Sequence, residues 1–367
     1  MRVPDHESLA LPGNSGVLAL RLKNVTASAA VVGLACAVYR FAPYNQRQLD
    51  AVYGSTAFSF TGASFLAAAA LAYTILIALY YLSERQPAAS KSLRFFTVLA
   101  ACARSPATVW QHGLARDDRL ALLATLLKAF FAPMMGTSLM VFCMAALANG
   151  QAIAASGALA NGLQDLFDRH GFWFLMQLIL FVDVLVFTFG YLVELPRLGN
   201  EIRSVDPSLL GWASALLCYS PFNSISGAIL GSQVSDFPRF DDPTSHLVLN
   251  LLLLALMALY ASASVALGFK GSNLTHRGIV ARGPYAVIRH PAYTCKNLAW
   301  WIASLPLLSA AFNVSLLAGV QALASTIGWT LLYALRALTE EDHLRSVDQD
   351  YDAYAAKVPY RFIPGLL

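Results

Sequence analysis

Apolar residues in this chain fall into blocks long enough to cross a lipid bilayer, separated by shorter polar segments. A helix needs roughly 20 apolar residues to span the hydrocarbon core. The block at 209–232 is interrupted by Pro221, Asn223 and Ser224. The last two blocks predict a tight hairpin whose helices need not both cross completely. The pattern predicts an all-α polytopic transmembrane helical bundle of about eight spans, at residues 25–41, 56–82, 121–148, 171–195, 209–232, 245–269, 298–312 and 314–335.

Composition supports a membrane protein and excludes several other classes. Hydrophobic residues make up 57% of the chain and charged residues 13%, roughly half the charge of a soluble domain. The 5 cysteines are scattered without a CxxC pair, so neither a disulfide framework nor a metal site is predicted. The net charge of +4 is small, and its basic residues lie between the apolar blocks, which does not favour a nucleic-acid partner.

The distribution of positive charge predicts the orientation in the membrane, because cytoplasmic loops are enriched in Lys and Arg. Segments 1–24, 83–118, 196–208, 270–297 and 336–367 contain 19 of these residues, whereas the opposite segments contain only Arg47, Arg169 and Arg239. Eight spans with both termini cytoplasmic fit this bias. The basic N-terminal segment and the apolar run after it are expected to form a retained first span, not a cleaved signal peptide.

Residues whose side chains could bind a ligand or take part in a reaction concentrate in two places near the C-terminus. The loop 275–294 contains a Gly283-Pro284 turn and the sequence Arg289-His290-Pro291, in which proline is suited to begin a helix. Past the last span, Arg336 and Glu340 are separated by one helical turn, as are Glu341 and Arg345. Taken singly, each feature also fits a simpler interpretation, a basic loop that sets topology and an ordinary charged helix end.

Together the two segments resemble a known family. The pattern R-G-P-Y-x3-R-H-P-x-Y, an apolar hairpin and then R-x3-E-E-x-x-L resembles the isoprenylcysteine carboxyl methyltransferase family, which is similar in turn to phospholipid N-methyltransferases. The resemblance covers about 245–367, and it implies a membrane catalytic domain there beside an N-terminal helical region, 1–244, of unpredicted role. It also implies a cytoplasm-facing pocket for S-adenosylmethionine and a lipid-like or prenylated acceptor that enters from the bilayer. The oligomeric state is not predicted.

The resemblance assigns expected roles to individual residues. Those expected to bind or enclose the cofactor are Gly283, Pro284, Tyr285, His290, Pro291, Tyr293 and Arg361. Those expected to act in catalysis or to orient the acceptor are Arg289, Arg336, Glu340 and Glu341, with the choice between the two glutamates for the pocket left open. One departure concerns Cys295, which stands where the family usually has glycine, and it puts a close backbone approach at that position in doubt.

Two alternatives belong to other functional classes. Membrane sterol and steroid reductases, which bind NADPH, share an R-H-P-x-Y element but usually have asparagine where this chain has Ala292. A non-enzymatic transporter is suggested by Asp183, an ionisable residue inside a span. For Asp183, a hydrogen bond to a neighbouring helix is the expected role. Binding of S-adenosylmethionine or of NADPH would discriminate between the two enzymes.

Overall fold

The computed structural model describes residues 14–55, 58–107, 113–155, 157, 162–231 and 235–366. The α-helices are α1 Asn14–Phe41, α2 Gln46–Asp50, α3 Gly62–Ser83, α4 Lys91–Arg104, α5 Arg116–Ala154, α6 Leu163–Leu166, α7 Phe172–Leu192, α8 Leu209–Leu216, α9 Asn223–Leu230, α10 Pro243–Leu267, α11 Pro291–Val314, α12 Leu316–Val347 and α13 Asp350–Lys357. The short strands are β1 Val52–Gly54, β2 Ser59–Thr61, β3 Ser204–Val205 and β4 Thr275–His276. The predicted all-α class is confirmed.

The helices divide into two compact units. The first comprises Met1–Ala51 and Phe60–Pro133, and the second Val52–Ser59 and Met134–Leu367. In the first, α1 packs against α3 and α4. Its fully buried Asn24 donates to the Ala88 carbonyl at 2.8 Å and accepts from the Ser90 backbone at 2.9 Å, so one amide fixes the start of α4. The predicted functional boundary near residue 244 lies within the second unit and stays a prediction.

Within the described residues, seven helical segments are long and apolar enough to cross a membrane: Ser15–Phe41, Gly62–Ser83, Arg116–Ala154, Leu163–Leu192, Pro243–Lys270, Pro291–Val314 and Leu316–Val347. The interruption predicted at 209–232 is present, and the structure has two helices of 8 residues there instead of one helix of spanning length. Pro221 lies between them, and proline lacks the backbone N–H that a continuing helix requires. The predicted hairpin is present, but it turns at Ser315 and both of its helices are long enough to span.

The broken segment nevertheless leads the chain back along α12, from Thr339 to Trp329. Helices α7 and α10 run in the same direction: His246 and Asp168, near their beginnings, lie 3.1 Å apart. At their ends, Gly190 of α7 abuts the backbone of Gly271. Because the two helices are parallel, the chain that leaves the end of α7 must run back before it can begin α10. Helix α8 contacts α12 near its end and α9 contacts it further back along its length.

One buried carboxylate inside the second unit is paired between two helices. The buried Asp183 of α7 accepts a hydrogen bond from the Tyr260 hydroxyl at 2.7 Å and another from Ser264, both on α10. An unpaired carboxylate would be costly in a bilayer, so Asp183 needs these two partners. Because both lie on α10, the bonds connect α7 to α10. The expected role of Asp183 as a partner of a neighbouring helix is confirmed.

Candidate active site

A small sheet aligns two loops at the end of the second unit where α7 and α10 finish. Strand β3 pairs antiparallel with β4, placing Ser204 opposite His276 and Val205 opposite Thr275. The backbone N–H of Asp206 also donates to the Leu274 carbonyl at 2.8 Å. This pairing brings the loop after α7 against the loop that follows α10, although 70 residues separate them in sequence.

The Gly283-Pro284 turn forms as predicted and is held by the C-terminal segment. Residues Gly283–Ala286 make one short 3-10 helix, with Gly283 at a φ of 58°, a conformation that glycine adopts without strain. The Tyr354 hydroxyl donates to the Tyr285 carbonyl at 2.8 Å. Burial raises the pKa of Tyr354 to about 12, so this hydroxyl keeps its proton at neutral pH.

The Arg289-His290-Pro291 segment is likewise held by the C-terminal tail, the residues that follow α13. Pro291 occupies the beginning of α11, as predicted, and His290 directly precedes it. The backbone N–H of Arg289 donates to the Tyr360 carbonyl and that of His290 to the Arg361 carbonyl, both at 2.9 Å. The tail therefore fixes the two residues whose side chains turn toward α12.

Glu341 lies at the centre of a cluster of cationic side chains. Its side chain is fully buried. One carboxylate oxygen accepts from Arg289 Nε at 2.8 Å and lies 3.2 Å from His290 Nε2. The other accepts from Arg345 at 3.0 Å and from Arg361 Nε at 3.2 Å. Glu341 thus connects α11, α12 and the tail, and both of its oxygens are occupied by protein donors.

Glu340 has the opposite environment and faces a cavity. Its side chain is 27% exposed, it accepts a hydrogen bond from the Tyr293 hydroxyl, and it lies 3.5 Å from Arg336 Nε. His290 Nδ1 is 3.9 Å from its other oxygen. The ring of His290 stacks on that of Tyr293, with centroids 5.5 Å apart and planes inclined by 5°. The open choice between the glutamates is thereby answered in geometric terms: Glu340 faces the cavity and Glu341 does not.

Arg336 connects the cavity to the broken helical segment. Its guanidinium is buried, donates to the Asn273 side chain, and lies 5.1 Å from the ring centroid of Tyr293 and 5.5 Å from that of Tyr219. The side-chain amide nitrogen of Asn273 in turn donates to the Tyr219 hydroxyl at 3.2 Å. Tyr219 occupies the break between α8 and α9, so the broken segment contributes a side chain to the site.

The cavity has a volume of about 200 Å³. The predicted site residues that line it are Tyr285, Arg289, His290, Tyr293, Arg336 and Glu340. Gly283, Pro284, Pro291, Arg361 and Glu341 do not line it, and they shape the turn, begin the helix or join the cationic cluster. Cys295 is also outside the lining, so the doubt that it raised about backbone approach does not bear on the cavity wall.

Sequence reasoning selected only part of the lining. Further residues that line the cavity are Asp206, Tyr219, Tyr260, Asn273, Arg277, Lys296, Tyr333 and His343. The only signal for Tyr219 was its position just before Pro221 in an interrupted span, and Arg277 carried no signal beyond its place in a basic loop. Their grouping depends on helix packing across the unit, which no local pattern encodes.

Arg277 has unsatisfied hydrogen-bonding capacity. It is 98% buried, since its exposed fraction is 2%, and one amino nitrogen donates to the Asn200 carbonyl at 2.7 Å. Its Nε and its other amino nitrogen have no hydrogen-bond partner among the described residues. Buried polar groups are paired in most proteins, so these two donors are exceptions in a residue that lines the cavity and interacts electrostatically with Glu194.

Comparison with known proteins gives one match. No curated protein and no solved structure matches the chain. A family model does match, over the part of the chain that contributes α10, the loop, α11 and most of α12. Residues 247–346 match the isoprenylcysteine carboxyl methyltransferase (ICMT) family, so the resemblance of the C-terminal third is confirmed and this segment indicates a membrane methyltransferase.

Proposed function

We propose that the protein is an integral-membrane methyltransferase that uses S-adenosylmethionine and acts on a lipophilic acceptor. The observation that carries this proposal is the convergence of Glu340, Tyr293, His290 and Arg336 on one cavity within the segment that matches the family. The loop and the helix end could have lain apart, and in that case neither could have enclosed a shared ligand.

The donor set of the cavity fits S-adenosylmethionine. A sulfonium is attracted to carboxylates and to aromatic faces, which Glu340 and Tyr293 provide. The methionine carboxylate requires buried donors, and Arg277 has two that are unpaired among the described residues. The volume of about 200 Å³ is below the roughly 300–1,000 Å³ of small-molecule pockets. We therefore expect the cavity to widen when the cofactor binds.

The residues would contribute mainly by positioning. Bound S-adenosylmethionine supplies a methyl group that its sulfonium already activates for transfer. The chain has to orient the acceptor and exclude water, which can supply a large part of the rate acceleration. Glu341 holds Arg289 and His290 in place. For an acceptor that must lose a proton, Glu340 is a cavity carboxylate placed to take it; a carboxylate acceptor needs no base.

An aromatic row between α11 and α12 supports a lipophilic acceptor. Tyr293 meets Tyr333 edge-on at 5.5 Å, Tyr333 meets Trp300 at 5.2 Å, and Trp300 meets Trp329 at 6.1 Å between ring centroids. The row begins at the cavity and follows the helices away from it. Such a surface suits a hydrocarbon chain that reaches the cavity from the bilayer.

We also propose that the broken segment 209–230 completes an eighth crossing, with both termini cytoplasmic. The parallel directions of α7 and α10 support a crossing between them. This arrangement puts the basic segments 196–208, 270–297 and 336–367 on one side of the membrane, as the positive-inside rule requires. The cavity would then open toward the cytoplasm, where the cofactor is available.

Purified protein in nanodiscs should bind S-adenosylmethionine and not NADPH, as measured by equilibrium dialysis. Membranes incubated with the methyl-labelled cofactor should acquire label in a lipid or lipid-modified product. Replacing Arg277 with methionine should weaken cofactor binding by about tenfold or more, since a hydrogen bond to a charged group contributes that much. The exposed Arg239, replaced in the same way, serves as the control and should bind normally. A folded protein that ignores S-adenosylmethionine contradicts the proposal.

A further inference from the structure

Lys296 lies in an aromatic box one helical turn beyond Tyr293 on α11. Its ammonium is 5.1 Å from the ring centroid of Trp300, 5.4 Å from that of Tyr333 and 5.7 Å from that of Tyr260. The three rings come from α10, α11 and α12. A charged residue about five positions into an apolar helix is costly unless it has a function or a partner.

The ammonium of Lys296 retains its hydrogen-bonding capacity. A lysine ammonium has three N–H donors and no acceptor. Ring faces attract its charge, but they do not replace the oxygen acceptors that these donors prefer. Throughout the described part of the chain, no hydrogen bond or ion pair joins its Nζ to a protein oxygen. Lys296 also lines the cavity, so its donors can reach a ligand there.

Asp183, the acidic residue that interacts with Lys296, already accepts hydrogen bonds from other side chains. Asp183 interacts electrostatically with Lys296, but its two oxygens accept hydrogen bonds from Tyr260 and Ser264. Asp183 therefore attracts the Lys296 ammonium electrostatically but accepts no hydrogen bond from it. An ammonium that is held by rings, with free donors facing a cavity, suits a ligand oxyanion.

The position of Lys296 relates this oxyanion to the proposed reaction. Lys296 follows Tyr293 by three residues on one helix, so the two side chains share a face, and Tyr293 bonds to Glu340 at the cavity. The rings around Lys296 belong to the aromatic row that leads away from the cavity. A lipid lying on that row would carry its polar group to Lys296.

We infer that Lys296 determines acceptor specificity by binding a carboxylate or phosphate group of the lipid acceptor. The inference rests on the proposed function for the meaning of "acceptor", but the binding that it requires can be measured without methyl transfer. Lys296 is a positioning residue in this scheme, since it binds the carboxylate or phosphate of the acceptor and so holds the lipid in place.

Binding of three probes with equal alkyl tails tests the inference. The probes are N-lauroylglycine, dodecyl phosphate and dodecanol, each titrated at neutral pH into the full-length protein in phosphatidylcholine nanodiscs. The wild-type protein should bind at least one anionic probe about tenfold more tightly than dodecanol. Lys296→Met should lose this preference, and Lys296→Arg should keep part of it. Lys357→Met, an exposed lysine on α13 outside the cavity, is the matched control and should behave as wild type.

Each result has a defined meaning. Preference for N-lauroylglycine assigns a carboxylate acceptor and preference for dodecyl phosphate a phosphate, and both support the inference. Retained anion preference in Lys296→Met, or equal binding of all three probes by the wild type, overturns it. Affinity for S-adenosylmethionine is measured on the same samples, and the Lys357→Met control should bind the cofactor as the wild type does. Failure to bind the cofactor with intact anion preference would refute the proposed function alone.

Discussion

Replacing Glu341 with glutamine removes the negative charge around which the loop, α12 and the tail are assembled. The side chain keeps its size, so packing is little changed and the effect is electrostatic. Of the four side chains whose nitrogens meet Glu341, Arg289 and His290 are only 7% and 8% exposed, whereas Arg345 and Arg361 are 34% and 39% exposed. The two exposed arginines can turn toward water, but the buried pair cannot.

The magnitude follows from the buried partners. Removing one member of a buried ion pair costs about 3–5 kcal/mol because the other charge stays desolvated. Glutamine keeps one carbonyl oxygen that can still accept from Arg289, so the lower end, about 3 kcal/mol, is expected. At roughly 2 °C or more per kcal/mol for a domain of this size, the melting temperature should fall by about 6 °C.

Thermal unfolding of the detergent-solubilised protein measures this change. Glu340→Gln is the matched control, because the same substitution at the neighbouring, partly exposed carboxylate should alter the melting temperature much less. It should instead suppress binding of S-adenosylmethionine or methyl transfer. If Glu341→Gln melts with the wild type, or if the two variants exchange their effects, the assignment of a structural and a cavity-facing glutamate is refuted.

Three further variants test separate parts of the structure. Gly190→Ala should destabilise the protein by about 1–3 kcal/mol or more, because a Cβ there would lie 1.8 Å from a backbone oxygen. Gly227→Ala is the control, since a Cβ there meets open space and should only raise helix propensity. Equal melting temperatures of the two variants would contradict the packing of α7 against Gly271. Tyr354→Phe should cost about 1 kcal/mol by removing the bond to the Tyr285 carbonyl, and unchanged stability and cofactor affinity would argue against that tether. Cys295→Ala should leave cofactor affinity unchanged in a dialysis measurement, and a marked loss would mean that this position contacts the ligand.

The predictable parts of the fold are those with long, regular patterns. Apolar blocks identified the seven long helices, because burial in hydrocarbon requires continuous apolar sequence. The i,i+4 pairs Arg336–Glu340 and Glu341–Arg345 were also predictable, since helix geometry alone brings such side chains together. The broken segment was harder, because Pro221 signals an interruption but not whether the chain crosses.

The site was predictable only where its residues share a local motif. Tyr285, His290, Tyr293 and Glu340 belong to the two motifs and line the cavity, whereas their roles stay a prediction. Lys296 lies next to a motif but was not selected, because its significance depends on three rings from three helices. No spacing rule along one segment relates residues that are brought together by packing.

Sequence alone determined that this chain inhabits a membrane, which segments are helical and which two segments carry chemistry, since these properties follow from composition, hydrophobic length and local motif. Tertiary structure decided which of two adjacent glutamates faces the cavity, which buried arginine retains free donors and where a lysine meets its aromatic box. Adjacent residues on a helix differ by about 100° in direction, and only the positions of the neighbouring helices determine which direction leads to a cavity and which to a cluster of cations.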